Sequence, residues 1–187
     1  MTSKILLFLI LIFSFFLTSC QKEYTLSQIG EKNILRVVVS KGNNTLLGTV
    51  FKIENIYVTA YHTVRDDSAK IQIKNQKNCR VYDRDKKRDI AWISCGKDLK
   101  NSHKKIYPHI VEVGKDILIP VYRKNKIRYM TGKITENSAI IKSVDSYGSQ
   151  YTLSGIVLTD ISLEAGDSGA PIFEKDSAKW VGVVHTQ

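Results

Sequence analysis

An all-β fold is what this chain predicts, on three observations. From Ile34 onward it is a series of short apolar runs rich in Val, Ile, Thr, Tyr and Trp. Polar or glycine-containing turns separate the runs, and no stretch sustains the 3.6-residue period of an amphipathic helix. Neither an internal repeat nor a low-complexity segment interrupts the pattern.

The N-terminus is different in kind. Ile5 to Leu17 is an apolar run of 13 residues behind one charge, Lys4. A membrane-spanning helix needs about 20 such residues, so the run reads as the hydrophobic stretch of a signal peptide. It closes on Leu17-Thr18-Ser19-Cys20, which resembles the lipobox of bacterial lipoproteins. That resemblance implies removal of residues 1–19 and acylation of Cys20, palmitate included, with the chain held on the outer side of a bacterial membrane in the cell envelope. An ordinary secretory signal and an uncleaved anchor are the other readings, and each places the remainder outside the cytoplasm. Residues 20–33 are polar and read as a tether. The 168 residues after the leader suffice for one domain with a sizeable core.

The predicted strands of the first half are Leu35 to Ser40, Thr45 to Ile53, Tyr57 to Ala60, Ala69 to Ile73, Cys79 to Tyr82 and Ile90 to Ser94. Together they make a unit over 34–95. Residues 96–113, rich in Lys and Asn with Pro108, read as a linker. The second unit, 114–187, has strands at Asp116 to Tyr122, Ile127 to Thr135, Ala139 to Ser143, Thr152 to Leu158, Pro171 to Phe173 and Trp180 to His185. Ala139 to Ser143 is either its own strand or a continuation of the one before, and in the second case the unit has five strands.

The formal charge is +10, and without Lys4 the mature chain carries 27 basic against 18 acidic residues, net +9. The cations gather in Arg80 to Arg88, Lys97 to Lys105 and Arg123 to Arg128, predicted turns where they keep strand edges from pairing with other chains. They also suit anionic lipid, glycan or acidic substrates. No basic motif interleaved with aromatics is present and the leader sends the chain outside, so nucleic acid is not an expected partner.

The residues that carry chemistry sit at strand ends. In Gly166-Asp167-Ser168-Gly169-Ala170-Pro171, Ser168 lies between glycines ahead of an apolar strand. Such a turn exposes the hydroxyl and frees the amides of Gly166 and Ser168 to face a substrate oxyanion. A serine needs an adjacent base and the base an orienting carboxylate. His62 closes the run Tyr57-Val58-Thr59-Ala60-Tyr61-His62, and Asp89 opens Asp89-Ile90-Ala91-Trp92-Ile93. Asp67, Asp83 and Asp85 are nearby carboxylates, but Asp89 alone directly precedes an apolar strand.

Three segments together resemble the trypsin-like (chymotrypsin-fold) serine endopeptidases: VTAYHTV around His62, DIAWI from Asp89, and TDISLEAGDSGAPIF from Thr159 to Phe173. They follow that family's order, His then Asp then Ser. The separations of 27 and 79 residues are compact, as in bacterial HtrA-type and glutamyl endopeptidases. The resemblance implies a double six-stranded β-barrel with the site in the cleft between barrels, and peptide or protein substrates. It makes Ser168 the nucleophile, His62 the general base and then acid, and Asp89 the carboxylate that orients it.

The same resemblance implies a pocket wall at Ser162, Leu163 and His185. Ser162 stands where an acid would select Lys or Arg side chains, so basic preference is not expected. His185 is one position from the histidine with which glutamyl endopeptidases bind acidic side chains. Members of the family continue beyond the strand matching Trp180 to Gln187, whereas here the second barrel lacks its last strand or another segment covers its edge. Cys79 and Cys95 flank the turn before Asp89 and are either a disulfide or a buried pair of thiols. A turn at Asp85 to Arg88 would set Cys79 opposite Ser94, so a disulfide needs a bulge. His103 and His109 read as surface residues, and no metal or cofactor is expected. The rival to an enzyme is a lipid-anchored, non-catalytic domain that captures a peptide or surface partner by strand addition.

Overall fold

The computed structural model describes residues 32–96, 106–144 and 150–186. The leader, the tether, Cys20, His103, the Lys97 to Lys105 cluster and Gln187 therefore lie outside the described residues.

Six strands close the first barrel: β1 (Ile34–Lys41), β2 (Asn44–Ile53), β3 (Ile56–Ala60), β4 (Lys70–Ile73), β5 (Cys79–Asp85) and β6 (Ile90–Cys95). Around the barrel their order is β1-β2-β3-β6-β5-β4. The second sheet is formed by β7 (Asp116–Arg123), β8 (Lys126–Val144), β9 (Gln150–Thr159), β10 (Pro171–Glu174) and β11 (Trp180–Val183), in the order β11-β10-β7-β8-β9. It is nearly closed and one strand short, with β9 and β11 as its edges. One hydrogen bond from outside the sheet reaches the β11 edge, from the His109 amide to the Trp180 carbonyl at 2.8 Å. Ile127 to Thr135 and Ala139 to Ser143 are one continuous strand of 19 residues, broken by register shifts at Glu136 and Ala139.

The apolar runs sort into three clusters by strand alternation. Val37, Val39, Val50, Tyr57, Ala91 and Ile93 fill the first barrel. Val111, Ile117, Ile119, Val121, Ile134 and Ile172 line the inside of the second sheet. The opposite faces of β2, β3 and β6 meet β10 and β11 in a seam: Phe51, Val58, Ile90 and Trp92 pack with Phe173 and Trp180. Phe51 stands edge-on to Phe173 at 6.2 Å between ring centroids and 5.2 Å from Trp180. This explains why Ile90-Ala91-Trp92-Ile93 is apolar without alternation, since β6 is covered on both faces.

Turn chemistry follows the residues. Lys124 and Asn125 both take positive φ, 48° and 62°, closing the two-residue β7–β8 hairpin with the twist that such hairpins need. Arg80 to Arg88 is not all turn, because β5 runs to Asp85 and leaves Lys86, Lys87 and Arg88 at the tip. Cys79 lies directly opposite Cys95, with the bulge at Tyr82, and the two are joined as a disulfide with Cα atoms 4.0 Å apart. The turn is Lys86 to Asp89 rather than Asp85 to Arg88, with Asp85 opposite Ile90, so an unbroken ladder would set Cys79 opposite Gly96; the extra residue at Tyr82 shifts the register by one and brings it opposite Cys95.

Candidate active site

The β5–β6 turn is built to turn one carboxylate inward. Asp85 Oδ1 accepts the amides of Lys87 and Arg88, each at 3.1 Å, which shapes the turn. Asp89 follows with φ of 55°, a left-handed conformation that Asp tolerates better than most residues, and its side chain is buried. From the facing strand, β3 runs into a one-turn 3₁₀ helix, Tyr61–Val64, so His62 sits on a helical turn rather than in an open loop. The Tyr61 amide donates to the Asp89 carbonyl at 2.9 Å and the His62 amide to Asp89 Oδ1 at 2.8 Å. His62 Nδ1 donates to Asp89 Oδ2 at 2.6 Å.

A second imidazole reaches the same oxygen. His185, just beyond β11, places its Nδ1 2.7 Å from Asp89 Oδ2 and 3.2 Å from His62 Nδ1. The two rings are edge to face, with centroids 4.7 Å apart. His185 Nε2 shares a hydrogen bond of 3.1 Å with Ser143 Oγ, which is 3.0 Å from the Tyr151 hydroxyl. Asp89 thus has acceptors for three donors and no contact with bulk water. Burial alone would push its carboxyl up, but the bonds from His185 and His62 outweigh burial and hold it below the usual carboxylate range. An ionised carboxylate only accepts, so both Nδ1 atoms carry protons toward it.

The serine turn is pinned from both halves. Thr49 on β2 receives the Ser168 carbonyl on its amide at 2.8 Å and donates its hydroxyl to the Gly166 carbonyl at 3.1 Å. Gly169, at φ 85°, donates to the Val184 carbonyl at 2.8 Å. A Cβ on Gly169 would lie 2.1 Å from Thr59 Oγ1 and 2.2 Å from the Thr49 carbonyl, so no other residue fits. The amides of Asp167, Gly169 and Ala170 are bonded to carbonyls, while those of Gly166 and Ser168 meet no acceptor among the described residues. Ser168 Oγ is 2.6 Å from Thr186 Oγ1 and accepts the Thr186 amide at 3.4 Å. It makes no hydrogen bond to His62.

Asp167, next to the serine, is a buried carboxylate with its own counter-ion. Arg123 at the end of β7 donates Nε to Asp167 Oδ1 at 3.0 Å and a terminal nitrogen to Oδ2, and the Glu164 amide also donates to Oδ2 at 2.9 Å. The second Arg123 terminal nitrogen bonds the exposed Glu164 carboxylate at 2.9 Å. Charge neutralisation from within the folded chain therefore braces the Gly166 to Ser168 turn.

No protein-family profile matches the sequence, and no curated protein matches it. Solved structures do resemble it in shape. The active form of the Rv3671c protease from M. tuberculosis superposes with a TM-score of 0.56 at 16% identity, covering 84% of this chain and 78% of that one. The fold is the trypsin-like double barrel. The apo MamO protease domain from Magnetospirillum magneticum matches with a TM-score of 0.54 at 12% identity over 77% of this chain and 80% of that one. Deg5 matches at 0.51 and 11% identity over 80% and 83%. These neighbours are HtrA/Deg-type trypsin-like proteases.

Within the trypsin-like fold the six-stranded barrel supplies His62 and Asp89, and the open one supplies Ser168 and His185. Of the expected pocket residues, Leu163 and His185 line a cavity of about 310 Å³ between the β9 and β11 edges. Ser162 is exposed and outside that cavity's wall. The His185 ring also reaches inward, with Nδ1 on Asp89. Thr186, Arg123, Ser143 and Tyr151 were not singled out from sequence. Of these, Arg123 alone left a trace, as the first residue of the Arg123 to Arg128 cluster of cations.

Proposed function

We propose that this chain is a serine endopeptidase that hydrolyses peptide bonds through an acyl-enzyme. The observation that carries this reading is the buried Asp89 carboxylate on His62 Nδ1, which leaves the His62 Nε2 lone pair for a serine proton. Ser168 would rotate about χ1 away from Thr186 to meet Nε2, a rearrangement in keeping with the looser hydrogen bonding of resting sites. Ser168 Oγ then attacks the carbonyl carbon as its proton passes to His62. The proton goes on to the leaving amine, and water repeats the sequence to free the acid and restore the serine. The amides of Gly166 and Ser168 hold the oxyanion, each donor worth about 3 to 4 kcal/mol in such sites.

A cavity of about 260 Å³ opens beside His62, walled by Tyr61, Tyr151, Arg65, Lys86 and Lys87 among others. Its aromatic walls and three cations suit substrate side chains that are acidic. In the same reading the domain is anchored through acylated Cys20 outside the cytoplasm, in a bacterial envelope.

The test is labelling of the full chain, purified in detergent, with a fluorophosphonate probe, beside Ser168→Ala and His62→Ala. Labelling abolished by both substitutions supports an activated nucleophile. A folded chain that does not label would sink the enzyme reading. A second reading then takes over, a domain that binds a peptide without cutting it, favoured by the Ser168–Thr186 hydrogen bond and the open β9 and β11 edges.

A further inference from the structure

Two imidazoles and one carboxylate converge here more closely than orienting one histidine requires. His62 Nδ1, His185 Nδ1 and Asp89 Oδ2 lie 2.6, 2.7 and 3.2 Å from one another. Asp89 could be ionised and oriented by His62 alone, yet a second ring is steered to the same oxygen and the two Nδ1 atoms are brought face to face. We propose that these three atoms form an inhibitory site for a divalent transition-metal ion, with zinc as the fitting case.

Ligand chemistry and geometry both support this. Two imidazole nitrogens and one carboxylate oxygen are a zinc donor set that leaves a fourth position open for water. Zinc holds such atoms at about 2.0 to 2.2 Å in a tetrahedral array, which sets ligand atoms roughly 3.3 Å apart. The nitrogen pair at 3.2 Å already has that spacing, and the carboxylate oxygen needs to withdraw by roughly 0.6 Å. The outer partners are in place: Ser143 Oγ lies on His185 Nε2, and the His62 amide holds the other Asp89 oxygen. His62 borders one cavity and His185 another, so an ion has routes of entry.

The consequence is a change of tautomer. Coordination uses the Nδ1 lone pair, so each neutral imidazole keeps its single proton but moves it from Nδ1 to Nε2. No proton is released, and the site changes from one negative charge to one positive. His62 Nε2 becomes a donor and cannot take the Ser168 proton. His185 Nε2–H now donates to Ser143 Oγ. Metal binding itself is independent of the protease reading, whereas its inhibitory effect rests on it.

The full chain carrying Ser168→Ala keeps all three ligands and removes the nucleophile. Titrated with zinc chloride in a calorimeter near neutral pH, it should bind one zinc per chain at micromolar dissociation constant or tighter and show no heat with magnesium. His62→Asn and His185→Asn, added separately and checked by circular dichroism, should each weaken binding by at least about tenfold. In the same protein with ¹⁵N-labelled histidine, zinc should move the His62 and His185 protons from Nδ1 to Nε2. In wild type, zinc should block probe labelling and a chelator should restore it. Absence of zinc binding by the folded protein overturns the assignment, as does undiminished binding in both histidine variants or unchanged tautomers. Zinc binding without probe labelling of zinc-free wild type would sink the protease reading and leave the metal site standing. Labelling without zinc binding would do the reverse.

Discussion

Replacing Arg123 with Met should unfasten the serine turn, and the structure allows the size of the effect to be worked out. Asp167 is 1% exposed and takes two of the Arg123 nitrogens, so removing the guanidinium leaves a buried carboxylate holding only the Glu164 amide. Breaking such a pair costs about 3 to 5 kcal/mol, more than the pair itself contributes, because the stranded charge stays desolvated. The bond to exposed Glu164 adds at most about 1 kcal/mol. The expected loss is therefore about 3 to 5 kcal/mol in urea unfolding, with slower fluorophosphonate labelling because Gly166 to Ser168 loses its brace. Adding Asp167→Asn to Arg123→Met should recover most of the stability by removing the unpaired charge. Lys41→Met, which breaks an exposed pair with Asp66, is the control and should cost under about 1 kcal/mol. If Arg123→Met costs no more than Lys41→Met, or the second substitution restores nothing, the argument from a buried counter-ion is wrong.

Three further outcomes follow from the geometry. Gly169→Ala should cost about 3 kcal/mol or more in thermal or urea unfolding, since its Cβ meets Thr59 Oγ1 at 2.1 Å, while Gly182→Ala, with open space around it, should stay within about 0.5 kcal/mol. Paired Cys79→Ala and Cys95→Ala should lower stability by about 2 to 4 kcal/mol under oxidising conditions and leave reduced protein little changed, measured by urea midpoint with and without reductant. Asp89 has a depressed folded-state value, so the stability it contributes should be complete above about pH 3.9 and lost as pH falls through that lower value. The stability gap between wild type and Asp89→Asn should therefore stay level from pH 7 to about pH 4 and then narrow. A gap that instead closes near pH 6 would show that histidine protonation, not Asp89, controls the site.

What could be read from sequence was whatever is local in the chain. The all-β class and the strand runs follow from apolar runs and turn residues a few positions apart. Each of His62, Asp89 and Ser168 stands at a strand end with a distinctive neighbourhood of five to eight residues. The rest depends on distant partners. His185 meets Asp89 across 96 residues and Arg123 meets Asp167 across 44, and neither has a local pattern that names its partner. Thr186 looks like any strand-end threonine until the fold sets it against Ser168. The Cys79–Cys95 pairing rests on where the turn closes, with Asp85 opposite Ile90, and on one bulged residue, Tyr82, and a bulge in a polar strand leaves no mark in composition.

The seam of Phe51, Val58, Ile90 and Trp92 against Phe173 and Trp180 joins the two β-sheets into one thermodynamic unit. Neither half can melt alone without exposing those rings, so the chain should lose its structure in a single step rather than barrel by barrel. His62 and Asp89 come from one side of that seam and Ser168 and His185 from the other. The site therefore has no partly assembled form that outlives the fold. The energy needed to scatter these four side chains by separating the sheets is that of unfolding the whole domain.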